Sequence, residues 1–156
     1  MRVIGVDAGY RNLAWSTLLN GRAMAWRHVD LWRGRRGRPS RDDMFRITLD
    51  WLRAHHEEFT RADAIVLERQ MKVPFIIQNV VIRSHFPDKT FIVSPMTICA
   101  FYGIPKKRKA KKAATIAALQ RAGFSCHVKC DHRYDAMSLA LYHYCTANEV
   151  PLSSFH

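Results

Sequence analysis

Two acids in this chain of 156 residues each close a short apolar run: Asp7 follows Val3, Ile4, Gly5 and Val6, and Glu68 follows Ala64, Ile65, Val66 and Leu67. A carboxylate at the point where a buried strand emerges is well placed to present a ligand at the carboxyl edge of a sheet. The plain alternative is an acid paired with a nearby cation, and Arg11 and Arg69 are close in sequence. A third group opens the last apolar stretch: Asp131, His132, Arg133, Tyr134, Asp135. At helical spacing Asp131 and His132 lie one turn behind Asp135 on the same face. For Asp131 the expected task is to cap that helix, with metal ligation as the alternative. Several carboxylates with one imidazole form a hard-ligand set suited to Mg²⁺ or Mn²⁺. Phosphodiester hydrolysis needs a water activated and extra negative charge stabilised on the phosphate. Two metal ions held by acids supply both.

The charge balance points to the same class of substrate. Lys and Arg number 25 against 13 acids, a net charge of +12 with a pI near 10.1. Such a field draws polyanions, and each cation set on a phosphate releases condensed counterions. Two basic segments stand out. One is Arg33, Arg35, Arg36 and Arg38, separated by glycines, with Arg41 beyond. The other is Lys106, Lys107, Arg108, Lys109, Lys111 and Lys112, leading into a helix. Phosphate contacts of this kind position a nucleic acid without reading its sequence; a basic run can equally be solvated surface or a localisation signal.

The elements that must position these groups are legible. Arg2–Asp7 and Leu13–Leu19 read as strands, and a third runs from about Arg22 to Leu31. Asn20-Gly21 between the second and third is a strong hairpin signal. Ser40 caps a helix whose first turn holds Asp42 and Asp43, with Phe45, Thr48, Leu49, Trp51, Leu52 and Phe59 as its apolar stripe. Strands at Ala64–Glu68 and Thr90–Val93 flank a helix from Pro74 to about Ser84, and a short helical turn follows Ser94-Pro95. Further helices span Ala113 to Arg121, stopped by Gly123, and His132 to Cys145. The order βββ-α-β-α-β-α-α, without repeat or linker, gives one α/β domain over 1–156 in which an antiparallel meander continues into parallel strands.

Cys99, Cys126, Cys130 and Cys145 read as reduced thiols of an intracellular protein. The cluster Cys126, His127, Cys130, His132 is the competing zinc reading, but it lacks a second knuckle at longer spacing. Residues 1–7 are too short, and too soon broken by Asp7, for a secretory leader. No run is apolar enough to cross a membrane, and no membrane partner is expected.

Taken together, Ile4-Gly5-Val6-Asp7 with Gly9, then Val66-Leu67-Glu68-Arg69-Gln70, then His132, Asp135 and Ala136 followed by Leu139-Ala140, resemble the three motifs of the RuvC-type Holliday junction resolvases. Order and spacing agree over essentially the whole chain. The Glu68-Arg69-Gln70 form and the basic segment before the last helices look closest to the poxviral and fungal mitochondrial members. The resemblance implies an RNase H-like fold, with a five-stranded mixed sheet of three antiparallel N-terminal and two parallel strands flanked by helices. It implies a DNA endonuclease that cuts four-way junctions in paired symmetric nicks. Asp7, Glu68 and Asp135 would be metal ligands, His132 a fourth ligand or a general base, and Asp131 an additional ligand candidate. Arg69, Gln70 and the two basic segments would meet DNA. It further implies a two-metal site, a homodimer, no nucleotide cofactor and, if poxvirus-like, residence in the infected-cell cytoplasm. The Pro74–Ser84 helix, apolar on more than one face, is the candidate dimer contact, testable by a charge at Ile77; the alternative is a central core helix. Two other functions compete: an RNase H-fold nuclease acting on RNA, and a non-catalytic basic module that binds nucleic acid with structural acids. Sugar-kinase and actin-like phosphotransferases share the first motif but need two lobes around a nucleotide, more than this length holds.

Overall fold

A computed structural model describes residues 1–104, 108–126 and 131–155, with the side chains of 108–111 outside the description. Five strands form one sheet: β1 (Arg2–Asp7), β2 (Leu13–Leu19), β3 (Arg22–Val29), β4 (Ala64–Glu68) and β5 (Thr90–Val93). Their spatial order is β3-β2-β1-β4-β5; β1–β2 and β2–β3 are antiparallel, while β1–β4 and β4–β5 are parallel. This is the mixed sheet expected from sequence. The hairpin turn has positive φ at both Asn20 (47°) and Gly21 (78°), the backbone that an Asn-Gly pair accepts at low cost.

The helices are α1 (Arg41–Ala54), α2 (His56–Thr60), α3 (Val73–His85), α4 (Pro95–Phe101), α5 (Arg108–Arg121) and α6 (Asp131–Ala147). Ser40 caps α1 in a reciprocal capping box with Asp43. The buried stripe of α1 is Met44, Thr48, Trp51 and Leu52, whereas Phe45 is 52% exposed. The expected stripe differs at both ends: Met44 rather than Phe45 turns inward, and Phe59 lies on α2, beyond the break at His55. Helix α5 starts earlier than expected, and α6 includes Asp131.

Strand parity divides the core in two. Val3, Leu18, Ala64 and Val66 pack with α4, α5 and α6 on one face of the sheet. Ile4, Val6, Leu13, Trp15, Ile65 and Leu67 pack with α1, α2 and α3 on the other. Successive strand residues face opposite sides, so Asp7 and Glu68 share the α6 side with Val3 and Val66. Gly5 makes the close approach there: a Cβ on it would lie 1.9 Å from the Ala136 carbonyl oxygen. Only a residue without a side chain lets α6 lie this tightly on β1, and that approach carries the start of α6 to the end of β1.

Candidate active site

The β1–β4 ladder pairs Val6 with Leu67, so the acids that follow, Asp7 and Glu68, emerge side by side at the same edge. They face one basin of about 380 Å³, whose lining also includes Tyr10, Gln70, Lys72 and His132. Across the sheet Asp7 pairs with Ala14, and Ala14 with His28. The small Ala14 side chain leaves His28 within reach of the site, its ring stacked on His132 at 6.3 Å and its Nε2 3.3 Å from Asn12 Oδ1.

From above, α6 contributes His132 and Asp135. The ligand atoms of Asp7, His132 and Asp135 lie within 4.8 Å of one another. An ion bonded to oxygen at about 2.0–2.6 Å spans ligand separations of roughly 3–5 Å, so this donor set fits a hard divalent cation. Glu68 stands in the same basin but outside that tight group of three among the described residues. His132 Nδ1 is 2.7 Å from Asp7 Oδ2. The hydrogen bond to Asp7 raises the His132 pKa, against the opposing effect of its burial. Burial, and then the neighbouring His132, lower that of His28. The pair of imidazoles is thus polarised, with the proton favoured on the one that touches the carboxylate.

Asp131 behaves differently. It lies in the first described turn of α6, and its carboxylate bonds Lys112 Nζ at 2.8 Å. That contact holds its pKa below the ordinary carboxylate value. Its carboxylate is not part of the cluster of three among the described residues. Lys112 is engaged by Asp131, so a phosphate would have to compete for it. Arg11, weighed as a partner for Asp7, turns instead to Asp30 at 3.7 Å and donates to the Arg35 carbonyl at 3.0 Å.

The arginine segment between β3 and α1 is anchored at the basin rather than trailing away from it. Trp32 N–H donates to the Tyr10 carbonyl, and Arg35 lies over the Trp32 ring at 4.7 Å. Arg33, Arg35, Arg36 and Arg38 are all exposed. Arg69, also exposed, and Gln70 follow Glu68 directly, and Gln70 lines the basin. Of the second basic segment, Lys106 and Lys107 lie outside the described residues, and Arg108, Lys109 and Lys111 are placed only by backbone, in the first turns of α5. Of the zinc reading, His127 and Cys130 lie outside the described residues, and His132 is committed to Asp7. Cys99 and Cys145 are buried free thiols; burial pushes Cys145 up to about 11.

The sequence reading missed His28, Gln78 and Asn79. His28 shares strand parity with Trp26, which packs on Tyr134 of α6, so alternation along β3 was a usable signal. Gln78 and Asn79 are two amides inside an apolar helix, and both are buried.

No family model and no curated protein matches the sequence. Solved structures do. Thermus thermophilus RuvC, in complex with a Holliday junction substrate, is 20% identical with a TM-score of 0.65, covering 96% of each chain. The fowlpox virus Holliday junction resolvase is 17% identical with a TM-score of 0.64, covering 95% of this chain and 99% of that one. The yeast mitochondrial Holliday junction resolvase is 15% identical with a TM-score of 0.61, covering 99% and 86%. The five-stranded mixed sheet with its flanking helices is the RNase H-like fold that these resolvases share.

Proposed function

We propose that this chain is a structure-selective endodeoxyribonuclease that resolves four-way DNA junctions by metal-dependent hydrolysis of phosphodiester bonds. The observation that carries the reading is the convergence of Asp7, Asp135 and His132 within 4.8 Å, beside Glu68, in a chain of net charge +12. A strongly basic protein gains nothing in affinity for a polyanion by gathering acids at one point, unless those acids hold a cation. The resolvases with the same fold, two of them solved with Holliday junction DNA, support the choice of substrate.

In this reading Asp7, Asp135 and Glu68 hold Mg²⁺ or Mn²⁺. We assign His132 to the same set because its ring nitrogen lies within the tight group. Bound divalent ions would activate water and neutralise the developing charge on the phosphate. Glu68's place outside the tight three suits a site of two ions roughly 3.5–4 Å apart. Asp7 orients the His132 ring through Nδ1. Lys72 and Gln70 line the approach to the carboxylates, and the arginine loop docked against Tyr10 grips the flanking backbone. Asp131 takes no part in ligation here; it holds Lys112.

A four-way junction offers two related strands to cut, and the described residues of one chain form one such basin, so the reading includes a homodimer. Helix α3 supports this. It is not a central core helix: Val81 and Ile82 pack inward, while Val73, Ile76 and Val80 are 45%, 39% and 59% exposed. Ile77 packs partly inward, so Ile76 and Val80 are the positions for the test. Val80→Glu should give a monomer in sedimentation and uncoupled single nicks; an unaltered dimer would remove α3 from the interface.

The test of the function itself is cleavage of a synthetic four-way junction against linear duplex and structured RNA, each with Mg²⁺ or Mn²⁺. Paired symmetric nicks confined to branched DNA are expected. Preferential cutting of RNA would favour an RNase H-fold ribonuclease, and tight binding without any cutting would leave a basic binding module.

A further inference from the structure

Two side chains of α3 have no place in the site as described so far. Gln78 is fully buried and Asn79 is 6% exposed, on the same inward side as Val81 and Ile82. An amide in such surroundings costs stability unless hydrogen bonds compensate it. Among the described residues, the Gln78 Oε1 and Asn79 Oδ1 oxygens have no hydrogen-bond partner. Each side chain is therefore held by its donor end alone, and both donor ends point to the same purpose. Asn79 Nδ2 donates to the Glu68 carbonyl oxygen at 2.9 Å. Gln78 Nε2 reaches the carbonyl of Gly9, two residues past Asp7, at 3.5 Å, the outer limit of such a bond. Consecutive helix residues point about 100° apart, so one turn of α3 reaches both the last residue of β4 and the turn that leaves β1 two residues after Asp7. The β1–β4 ladder stops at Leu67, and the Asn79 amide meets the backbone one residue later.

We propose that Asn79, seconded by Gln78, is a positioning residue for the metal site. By holding the Glu68 carbonyl, on the side of β4 away from its β5 partner Val93, it helps fix the backbone that carries the Glu68 carboxylate into the basin, and so sets the affinity for the ion. The inference rests on the proposed metal-dependent cleavage, and it concerns a residue outside the group of three ligands. Partners one step removed from a ligand commonly change metal affinity or activity by about 10–100-fold.

The experiment compares wild type with Asn79→Leu, full-length and free of DNA, by three measurements: Mn²⁺ titration followed by electron paramagnetic resonance, hydrogen exchange of the segment 67–72 without metal, and thermal unfolding. The expected result is Mn²⁺ binding about tenfold weaker and faster exchange in 67–72, with Tm near the wild-type value and junction affinity in Ca²⁺ unchanged. Asn79→Ala covers the case in which leucine does not pack, because Asn79 borders an open groove with Arg69, Ile76 and Val80. Unchanged Mn²⁺ affinity in the folded variant overturns the proposal, whether or not exchange changes. If wild type itself fails to bind Mn²⁺ while the variant exchanges faster, the metal-dependent reading falls and the backbone clamp remains.

Discussion

Two carboxylates flank the same sheet on opposite faces, and their surroundings could hardly differ more. Glu58, on α2, lies against the outer face of β2. It accepts from Trp15 Nε1 at 3.3 Å and from the Thr17 hydroxyl at 2.9 Å, with the Arg27 guanidinium 3.4 Å away. Asp7, on the α6 face, faces a titratable imidazole at 2.7 Å, with a carboxylate of α6 in the same 4.8 Å group and Glu68 across the basin. Both acids are largely withdrawn from solvent, with side-chain exposures of 20% and 13%. Burial therefore does not separate a structural acid from a functional one. The donor set does: a carboxylate already supplied with protein donors has no need of a cation, while acids gathered together lower their mutual repulsion by sharing one.

The contrast can be broken in several ways. The largest effect on folding should come from Gly5→Ala, which puts a methyl group 1.9 Å from the Ala136 carbonyl and forces α6 off β1. A loss of about 3 kcal/mol or more in chemical denaturation is expected, together with loss of Mn²⁺ binding. A variant of wild-type stability would mean that α6 does not need this approach. Glu58→Gln sharpens the comparison from the other face. It should cost about 1–3 kcal/mol, because the Thr17, Trp15 and Arg27 donors lose a charged acceptor. Cleavage per folded molecule should stay the same, and a large fall would place Glu58 in the function after all.

A smaller effect is the pH dependence of the metal-free protein. The His132 pKa is raised in the folded state, chiefly by its hydrogen bond to Asp7. The sign follows from linkage: the native state binds this proton more tightly than the unfolded chain. Its stabilising contribution is complete below about pH 6.5 and is lost as pH rises through the raised folded value. Urea denaturation in EDTA should show wild type losing stability relative to His132→Asn as pH rises from about 6 to 8. Parallel curves would contradict the pairing.

Much of this is legible in the sequence. The ends of β1 and β4 were readable because an acid stops an apolar run abruptly, and β2 and β5 fall at the expected bounds. The register that pairs Val6 with Leu67 then sets Asp7 and Glu68 on one face, and that register is not legible in two strands that are apolar on both sides. The stripe of α1 was misjudged at Phe45 because Met44 and Phe45 are both apolar, and only packing against the sheet decides which one turns in. For Asp131 the sequence leaves capping and ligation open, and it does not announce that Lys112, nineteen residues earlier, meets the carboxylate. The Asn79 contact was out of reach: an amide in an apolar helix announces a partner but not which one.

The most direct test of the central claim compares Asp7→Asn with Glu58→Gln and wild type on a four-way junction with Mg²⁺, measuring binding and single-turnover cleavage together. The account predicts that Asp7→Asn binds the junction as tightly as wild type but cuts it at least about 10³-fold more slowly, while Glu58→Gln cuts at the wild-type rate. Equal cutting by wild type and Asp7→Asn would contradict it, and the acids at the end of β1 and the start of α6 would then have to be structural.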